Sequence, residues 1–234
     1  MTDAAAEVNT ALETWVEECK GSKAINLTIN RTIYKDGYYN TLCLPFDMSE
    51  DQIAETFGDY KELKQFQSAT VQGSGASRSI VIEVADATEI EAGKAYLISF
   101  EKGTNITTLT FNQVVVSTTE ATDESGTLAY QGILAPYQLP YEDQNYLFLG
   151  EKNALYWPIN DGTFMKGFRA YFKVDTSTKA PYRAGMHAAF GSRQTPTDLS
   201  PVVNEQEVRK LLEQGRVVIV NKGVKYNMNG AIVQ

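Results

Sequence analysis

Short runs of alternating apolar and polar residues predict a mainly β protein, an antiparallel β-sandwich or a partly open barrel with a few short helices. Such runs recur along most of the 234 residues, and Gly, Asn, Asp or Pro turn signals separate them. Thirteen tyrosines and ten phenylalanines, residues that favour strands over helices, support the same fold class. With 43% hydrophobic and 21% charged residues, the chain has the composition of a globular protein with a sizeable core.

The first two predicted strands flank an Asp36-Gly37 turn. Between Ile25 and Tyr34, apolar and polar residues alternate, as in a strand with one buried face. Asp-Gly is a strong hairpin signal because Gly adopts a positive φ without steric cost and Asp tolerates it. The apolar run that follows has hydrophobic residues on both faces and should end its pairing at Pro45, which lacks an N–H. We therefore predict a core hairpin formed by residues 25–34 and 39–46.

Two helices are predicted in the first sixty residues. In the N-terminal segment 1–24, apolar residues recur at spacings of three and four, so an amphipathic helix should end near Gly21. Ser49 and Gln52 form a capping box, in which each side chain bonds the other residue's backbone N–H. The second helix should continue to Phe57 and stop at Gly58.

The remaining strands complete a sandwich domain over residues 25–192. Gly73 to Ser77 is predicted to be a hairpin loop rather than a phosphate cradle, because a β-branched strand follows it instead of a helix. The polar segment 118–125 is predicted to be an exposed loop. The predicted strands are 66–71, 80–85, 95–100, 107–116, 128–134, 146–149, 154–157, 168–174 and 186–190.

A small separate unit is predicted at the end of the chain. Residues 193–203 are rich in Ser, Thr and Pro and read as a linker. Residues 204–234 should form a helix that carries Val208, Leu211 and Leu212, followed by a short β-meander. Because so short a segment cannot bury a core of its own, we expect it to dock on a neighbour or to stay mobile.

Charge and hydropathy limit the classes of partner. The net charge of −8 argues against nucleic acid and against an anionic membrane surface, both of which require basic patches. No apolar run approaches the roughly 18 residues that span a membrane. The first residues have no basic and apolar leader, so the chain is either cytoplasmic or secreted with its signal peptide removed. A disulfide between Cys19 and Cys43 is left open, although buried free cysteines are common.

Few residues suggest catalysis or metal binding. The chain has one histidine, His187, on a predicted strand, and it has no G-x-S-x-G motif. One histidine and two cysteines cannot build a closed zinc site. Loop oxygens around Glu142, Asp143 and Asn145 leave a calcium site open, whereas Glu89 and Glu91 lie beside a turn and should be solvated. We therefore expect no cofactor, no resident metal and no enzymatic activity.

The candidate binding surface is aromatic. Rings presented at one end of a sandwich would stack on sugars or on a partner protein, although alternating aromatic residues also fit core packing. These candidate residues are Tyr137, Tyr141, Tyr146, Tyr156 and Trp157.

An ordered set of motifs adds a family resemblance. The motifs lie at Asp36–Phe46, Ala92–Ile98, Leu147–Gly150, Asn153–Pro158 and Lys166–Phe172. In order and spacing they resemble a module of secreted or surface proteins of Bacteroidales gut and oral bacteria, which often follows leucine-rich repeats of adhesin-like proteins. Residues 215–220 and 223–230 look like the short C-terminal segment that ends many proteins of those bacteria. This chain has no leucine-rich repeats, so an adhesin function carried by such repeats does not transfer.

The resemblance implies a secreted or cell-surface module without catalytic residues. It favours a non-enzymatic β-sandwich that takes part in adhesion or binds a host protein, a glycan or another cell-surface component. A structural spacer in a surface assembly and a carbohydrate-active hydrolase with paired carboxylates remain alternatives, because sandwich folds host many functions.

Overall fold

The computed structural model divides the chain into two compact units, Met1–Arg193 and Gln194–Gln234. The fold is mainly β, as the sequence predicts, with several largely antiparallel sheets that do not close into a barrel. The structure describes residues 1–3, 5–72, 79–125, 128–142, 145–160, 162–174, 186–187, 189–192, 209–213, 216–221 and 224–226.

The first unit contains two α-helices and fifteen described strands. The helices are α1 (Ala5–Glu18) and α2 (Glu50–Phe57). The first seven strands are β1 (Ile25–Ile33), β2 (Tyr39–Cys43), β3 (Tyr60–Gln72), β4 (Ser79–Asp86), β5 (Ala95–Phe100), β6 (Ile106–Val114) and β7 (Thr122–Ser125). The next eight are β8 (Leu128–Ile133), β9 (Tyr137–Gln138), β10 (Tyr146–Leu149), β11 (Ala154–Tyr156), β12 (Phe164–Met165), β13 (Arg169–Val174), β14 (Met186–His187) and β15 (Ala189–Ser192).

Two large sheets form the sandwich. One has the order β15-β4-β3-β5-β2, and the other has the order β14-β11-β10-β13-β8-β7. Their neighbouring strands pair antiparallel, except that β15 pairs parallel with β4. The sheets share a core in which the ring of Phe172 stacks on that of Tyr130 at 4.3 Å. The buried members of this core are Phe66, Ala69, Ile80, Ile82, Val84, Ala95, Leu97, Leu128, Tyr130, Leu147, Leu155, Ala170, Phe172 and Val174.

A second core covers the opposite face of the five-stranded sheet. All six residues of β5 are buried, because alternate side chains point to opposite faces. Ala95 and Leu97 belong to the sandwich core, whereas Tyr96, Ile98 and Phe100 pack with apolar residues of α1, α2, β1 and β6. The β1–β6 ribbon and the two helices therefore form a third layer.

The predicted hairpin between β1 and β2 is wrong. Strand β1 pairs with β6, and β2 pairs with β5, so the chain crosses from one sheet to the next at this turn. The turn itself forms: Gly37 has a φ of +89°, and the Asp36 carboxylate accepts from the Tyr38 N–H at 3.0 Å. The Asn40 side chain then bonds both the N–H and the C=O of Tyr34, at 2.8 and 2.9 Å. These side-chain hydrogen bonds take the place of backbone hydrogen bonds between β1 and β2. Both strands contribute apolar residues to one core.

Both helices form where the sequence predicts them. Val8 and Leu12 of α1 are buried, and Trp15 packs on the same core while half-buried. Ser49 and Gln52 form the expected capping box, with bonds of 3.4 and 3.0 Å.

The segment 118–125, predicted to be a loop, contains strand β7. This strand pairs with β8 at the edge of the six-stranded sheet. Its residues Thr122–Ser125 are all polar, so they lack the apolar alternation by which strands are recognised. The two-residue strands β9 and β12 were missed for a similar reason, because they are too short to show a period. Residues 73–78 lie outside the described part, but β3 and β4 on either side pair antiparallel, as a hairpin requires.

In the second unit, the predicted helix is wrong where the structure describes it. Residues Arg209–Glu213 form strand β16, which pairs antiparallel with β17 (Arg216–Asn221), and β17 pairs with β18 (Val224–Tyr226). Leu211 lies opposite Val218, and Leu212 lies opposite Val217. A short helix is marginal in water, whereas pairing with a β-branched strand satisfies the backbone. The predicted linker 193–203 and the end of the predicted β-meander, residues 227–234, lie outside the described residues.

Both cysteines are buried free thiols, so the disulfide left open by the sequence is not formed. The backbone N–H of Val116 donates to the Cys19 sulfur at 3.3 Å, and the Cys43 thiol donates to the Gly93 carbonyl at 3.3 Å. Burial raises the pKa of the Cys43 thiol, which keeps that group neutral.

The sandwich core predicts the effect of truncating one ring. Replacing the fully buried Phe172 by Ala should lower the free energy of unfolding by about 3–5 kcal/mol, because the cavity removes the stacking contact with Tyr130. Urea denaturation measures this change. Phe164→Ala, at an exposed ring, is the matched control and should cost less than about 1 kcal/mol. Equal losses in the two variants would contradict the assignment of Phe172 to the core.

Candidate functional site

A cavity of about 720 Å³ opens in the first unit, where five segments meet. They are the end of β1 and its turn into β2, the end of β10, the 3-10 turn at Glu151–Asn153, strand β12, and the start of β13. Both the volume and the mixture of apolar and polar side chains are typical of a small-molecule site.

Arg31 lines this cavity from within the core. The alternation of β1 places it in the inward set with Leu27, Ile29 and Ile33, and it is only 4% exposed. Its guanidinium donates from Nη1 to the Phe168 carbonyl and from Nη2 to the Thr41 carbonyl. Arg31 therefore ties β1 to β2 and to the segment that enters β13. Its Nε has no hydrogen-bond partner among the described residues.

The electrostatics of Arg31 are unusual because no carboxylate touches it in the described structure. Burial, and secondarily the charge of Arg169, lower the pKa of its guanidinium to about 9, while the more distant Asp3 opposes the shift. The side chain is a buried cation whose hydrogen bonds go to neutral carbonyls. Such a group gains from an additional negative charge nearby.

The Phe168 carbonyl, one of the two that accept from Arg31, is held by a constrained backbone. Phe168 has a φ of +59°, a left-handed conformation that is rare for an aromatic residue, and its ring is fully buried. A side chain at Gly167 would place its Cβ 2.5 Å from the Leu134 carbonyl oxygen, so only Gly fits there. The Phe168 carbonyl also accepts from the Cys43 N–H at 3.2 Å. The Lys166–Arg169 segment is thereby fixed against β2.

Two further cations lie on that segment. Arg169 Nη1 is 2.8 Å from one carboxylate oxygen of Asp3, and Lys166 Nζ is 3.3 Å from the other. Asp3 is buried, and its single carboxylate pairs with both cations. Its negative charge also raises the pKa of Arg31 from a longer distance. Lys152 adds a fourth cation to the lining, whereas Asp36 and Glu151 are the acidic residues among its described members.

Aromatic rings supply the apolar part of the lining. Tyr34 is 55% exposed and Phe164 is 59% exposed, which is unusual for rings of this size. Tyr38, Tyr39 and Phe148 complete the aromatic lining. Rings and cations therefore face the same space.

The five aromatic residues predicted from the sequence lie outside this lining. Tyr137 stacks on Tyr171 at 5.4 Å, and Tyr146 lies 5.5 Å from the same ring in a small core. Tyr156 is exposed and stacks on Phe148 at 5.9 Å, so it reaches the cavity only through that neighbour. Tyr141 is exposed, and Trp157 is half-buried against the sandwich core.

The residues that line the cavity were not predicted from the sequence to form a binding site. Arg31 was the available signal, since a charged residue lies in phase with three buried aliphatic residues of a strand. Arg169 and Lys166 gave no comparable signal, because their proximity to Arg31 and Asp3 arises only from the sheet topology.

The other candidates from the sequence that the structure describes lie outside the lining of the cavity. Glu91 is exposed and pairs with Lys94 at 3.3 Å, and His187 lies on β14 with its backbone opposite Ala154. Burial raises the pKa of Asp123, but this carboxyl group does not line the cavity. Asp143 lies outside the described residues. Within the described residues, no group of three or more His, Cys, Asp or Glu side chains could hold a metal ion.

Comparisons with protein-family models, with curated proteins and with solved structures find no match for this chain. No helix in the described part of the chain is long and apolar enough to cross a bilayer. The residues of the cavity are therefore the structural basis for proposing what the chain binds.

Removing the guanidinium tests its role in holding the strands together. Arg31→Met should lower the free energy of unfolding by about 1–3 kcal/mol, because buried carbonyls of Thr41 and Phe168 each lose a charged donor. Chemical denaturation measures this loss, with Lys20→Met on the exposed face of the N-terminal segment as the control. An unchanged or higher stability would show that desolvating the guanidinium costs more than its hydrogen bonds return.

Proposed function

We propose that this chain is a non-enzymatic extracellular module that binds a ligand in the cavity lined by Arg31. The observation that carries the proposal is the cavity itself, in which the exposed rings of Tyr34 and Phe164 share one space with a buried guanidinium. Rings of this kind stack on sugar faces or on apolar side chains, while cations and amides orient the ligand.

The extracellular setting rests on sequence. The motifs between Asp36 and Phe172 resemble a module of Bacteroidales surface proteins, and we propose adhesion or capture of a host glycan or protein on that basis. Two lining segments, Asp36–Phe46 and Lys166–Phe172, belong to those motifs. The proposed binding site therefore coincides with part of the resemblance.

The non-enzymatic role rests on the chemistry of the lining. A glycoside hydrolase of the paired-carboxylate type needs two acids that flank the scissile bond, one of them with a raised pKa. The acids in the described lining are Asp36, whose carboxylate accepts from the Tyr38 N–H, and Glu151 in the 3-10 turn. Four cations outnumber these two acids in the lining, which suits binding better than hydrolysis by paired carboxylates.

Binding by the intact chain to a glycan array and to a panel of host matrix proteins tests the proposal. Phe164→Ala should weaken binding about tenfold, because a central aromatic contact is typically worth more than about 1 kcal/mol. Tyr141→Ala, at a ring that is 41% exposed and outside the lining, is the matched control and should bind normally.

The other outcomes separate the alternatives. Loss of binding in Tyr141→Ala or in a Tyr156→Ala, Trp157→Ala double variant, but not in Phe164→Ala, would move the site to the sequence-predicted aromatic residues. No binding by the intact chain would favour a structural spacer. Hydrolysis of a bound saccharide would contradict the non-enzymatic role.

A further inference from the structure

We propose that the ligand of the cavity is an anionic saccharide whose carboxylate or sulfate group is held by Arg31, Lys166 and Arg169. This inference rests on the proposed function and specifies its ligand class. Three features support this ligand class: the charge around the cavity, the incomplete pairing of its cations and the aromatic rings in its lining.

The cavity lining is rich in cations, although the chain as a whole is acidic. The chain carries a net charge of −8, yet its described cavity lining holds four cations, Arg31, Lys152, Lys166 and Arg169, against two acids, Asp36 and Glu151. A cluster of cations on an acidic protein attracts anions locally while the remaining surface repels them. The arrangement favours a small ligand whose negative charge is confined to one group.

The cations are incompletely paired. Arg31 donates only to backbone carbonyls, and its Nε has no partner among the described residues. Arg169 and Lys166 share the single carboxylate of Asp3, at 2.8 and 3.3 Å. The charge of Arg169 contributes to the lowered pKa of the Arg31 guanidinium, so the two cations repel each other. An incoming carboxylate or sulfate would accept charge-assisted hydrogen bonds and relieve this repulsion.

Asp3 already supplies part of the negative charge that the ligand's acid group would bring. Its buried carboxylate contacts two of the three cations, so it is an internal substitute for part of the anion. Replacing it with the isosteric neutral Asn should therefore strengthen binding of an anion. An effect of that sign is specific to the proposal, because a residue that merely supported the fold would weaken binding when changed.

The rings favour a saccharide among small anions. Tyr34 and Phe164 present large exposed faces beside the cations, and such faces pack on the C–H surface of a sugar ring. Free phosphates and nucleotides are bound mainly by backbone N–H groups at helix N-termini or Gly-rich loops. The described lining contains no α-helix, and its 720 Å³ would hold one or two sugar residues.

Calorimetric titration of the intact chain tests the ligand class. The probes are methyl glucuronide, sialic acid and a sulfated disaccharide, with methyl glucoside as the neutral match of the first. We expect at least one acidic probe to bind about tenfold or more tightly than methyl glucoside, with an affinity that falls as salt is raised. The carboxylated and sulfated probes together show which acid group is preferred.

Three variants locate the acid group. Lys166→Gln should weaken binding of the acidic probe about tenfold and that of the neutral sugar much less, since the Lys166 side chain is 63% exposed and carries little of the fold. Lys61→Gln, at a lysine 51% exposed and outside the lining, is the matched control. Asp3→Asn, whose folding is checked by thermal unfolding, should bind the acidic probe several-fold more tightly.

Each contrary outcome identifies what fails. Equal affinity for methyl glucuronide and methyl glucoside, with Phe164→Ala still weakening both, would overturn the anionic ligand and leave the proposed function standing. Binding of acidic probes that Lys166→Gln and Asp3→Asn leave unchanged would also overturn the proposal, because the acid group would then lie elsewhere. If only an acidic peptide or protein from the matrix panel bound, the saccharide assignment would be wrong.

Discussion

The buried guanidinium of Arg31 is the interaction on which the arrangement of this molecule depends. It donates to carbonyls of two segments that are far apart in sequence, at Thr41 and Phe168, and so joins β1 to β2 and to the start of β13. Burying a cation is costly, and hydrogen bonds to fixed acceptors offset part of that cost. The left-handed backbone of Phe168 and the close approach at Gly167 fix one of those acceptors. Arg31 is also among the residues that line the cavity.

The layered core supplies the packed elements beside which this cavity lies. Strand β5 is buried on both faces, so it belongs to both hydrophobic cores and holds the ribbon, the helices and the sandwich in one unit. The cavity lies where β1 turns into β2 and where β10, β12 and β13 end or begin, next to these fixed elements. Rigid elements preorganise a binding site, because little conformational entropy remains to be lost when a ligand enters. The exposed rings of Tyr34 and Phe164 are the part of the lining most open to solvent.

Local sequence patterns predicted most of the helices and strands, but they did not predict which strands pair with each other. Alternation found β4, β5, β8 and β13, and the capping box at Ser49 found the start of α2, because these signals depend on neighbours in sequence. The Asp36-Gly37 turn was also correct, yet its strands join different sheets, since turn chemistry does not determine which strand pairs with which. The edge strand β7 and the tail strand β16 escaped prediction because pairing, rather than apolar periodicity, defines them.

The candidate site was harder to predict than the fold for the same physical reason. The density of aromatic residues between Tyr137 and Trp157 was visible in the sequence, but a ring is a binding residue only if the tertiary structure exposes it. Tyr137 and Tyr146 pack on Tyr171, whereas Phe164, isolated in sequence, is open to solvent in the cavity. Arg31 was visible as a charge in phase with Ile29 and Ile33, but only the structure shows what its guanidinium contacts.

The central claim, that Arg31 both fastens the strands and receives an anionic ligand, is tested most directly at its own Nε–H group. In protein labelled with ¹⁵N-arginine, that resonance is assigned by its loss in an Arg31→Lys variant and then followed during titration with methyl glucuronide. We expect a saturable shift of the Arg31 resonance with the affinity found by calorimetry, and no shift with methyl glucoside. An Arg31 resonance that stays unchanged while calorimetry reports saturation would contradict it, because the acid group would then bind away from the buried guanidinium.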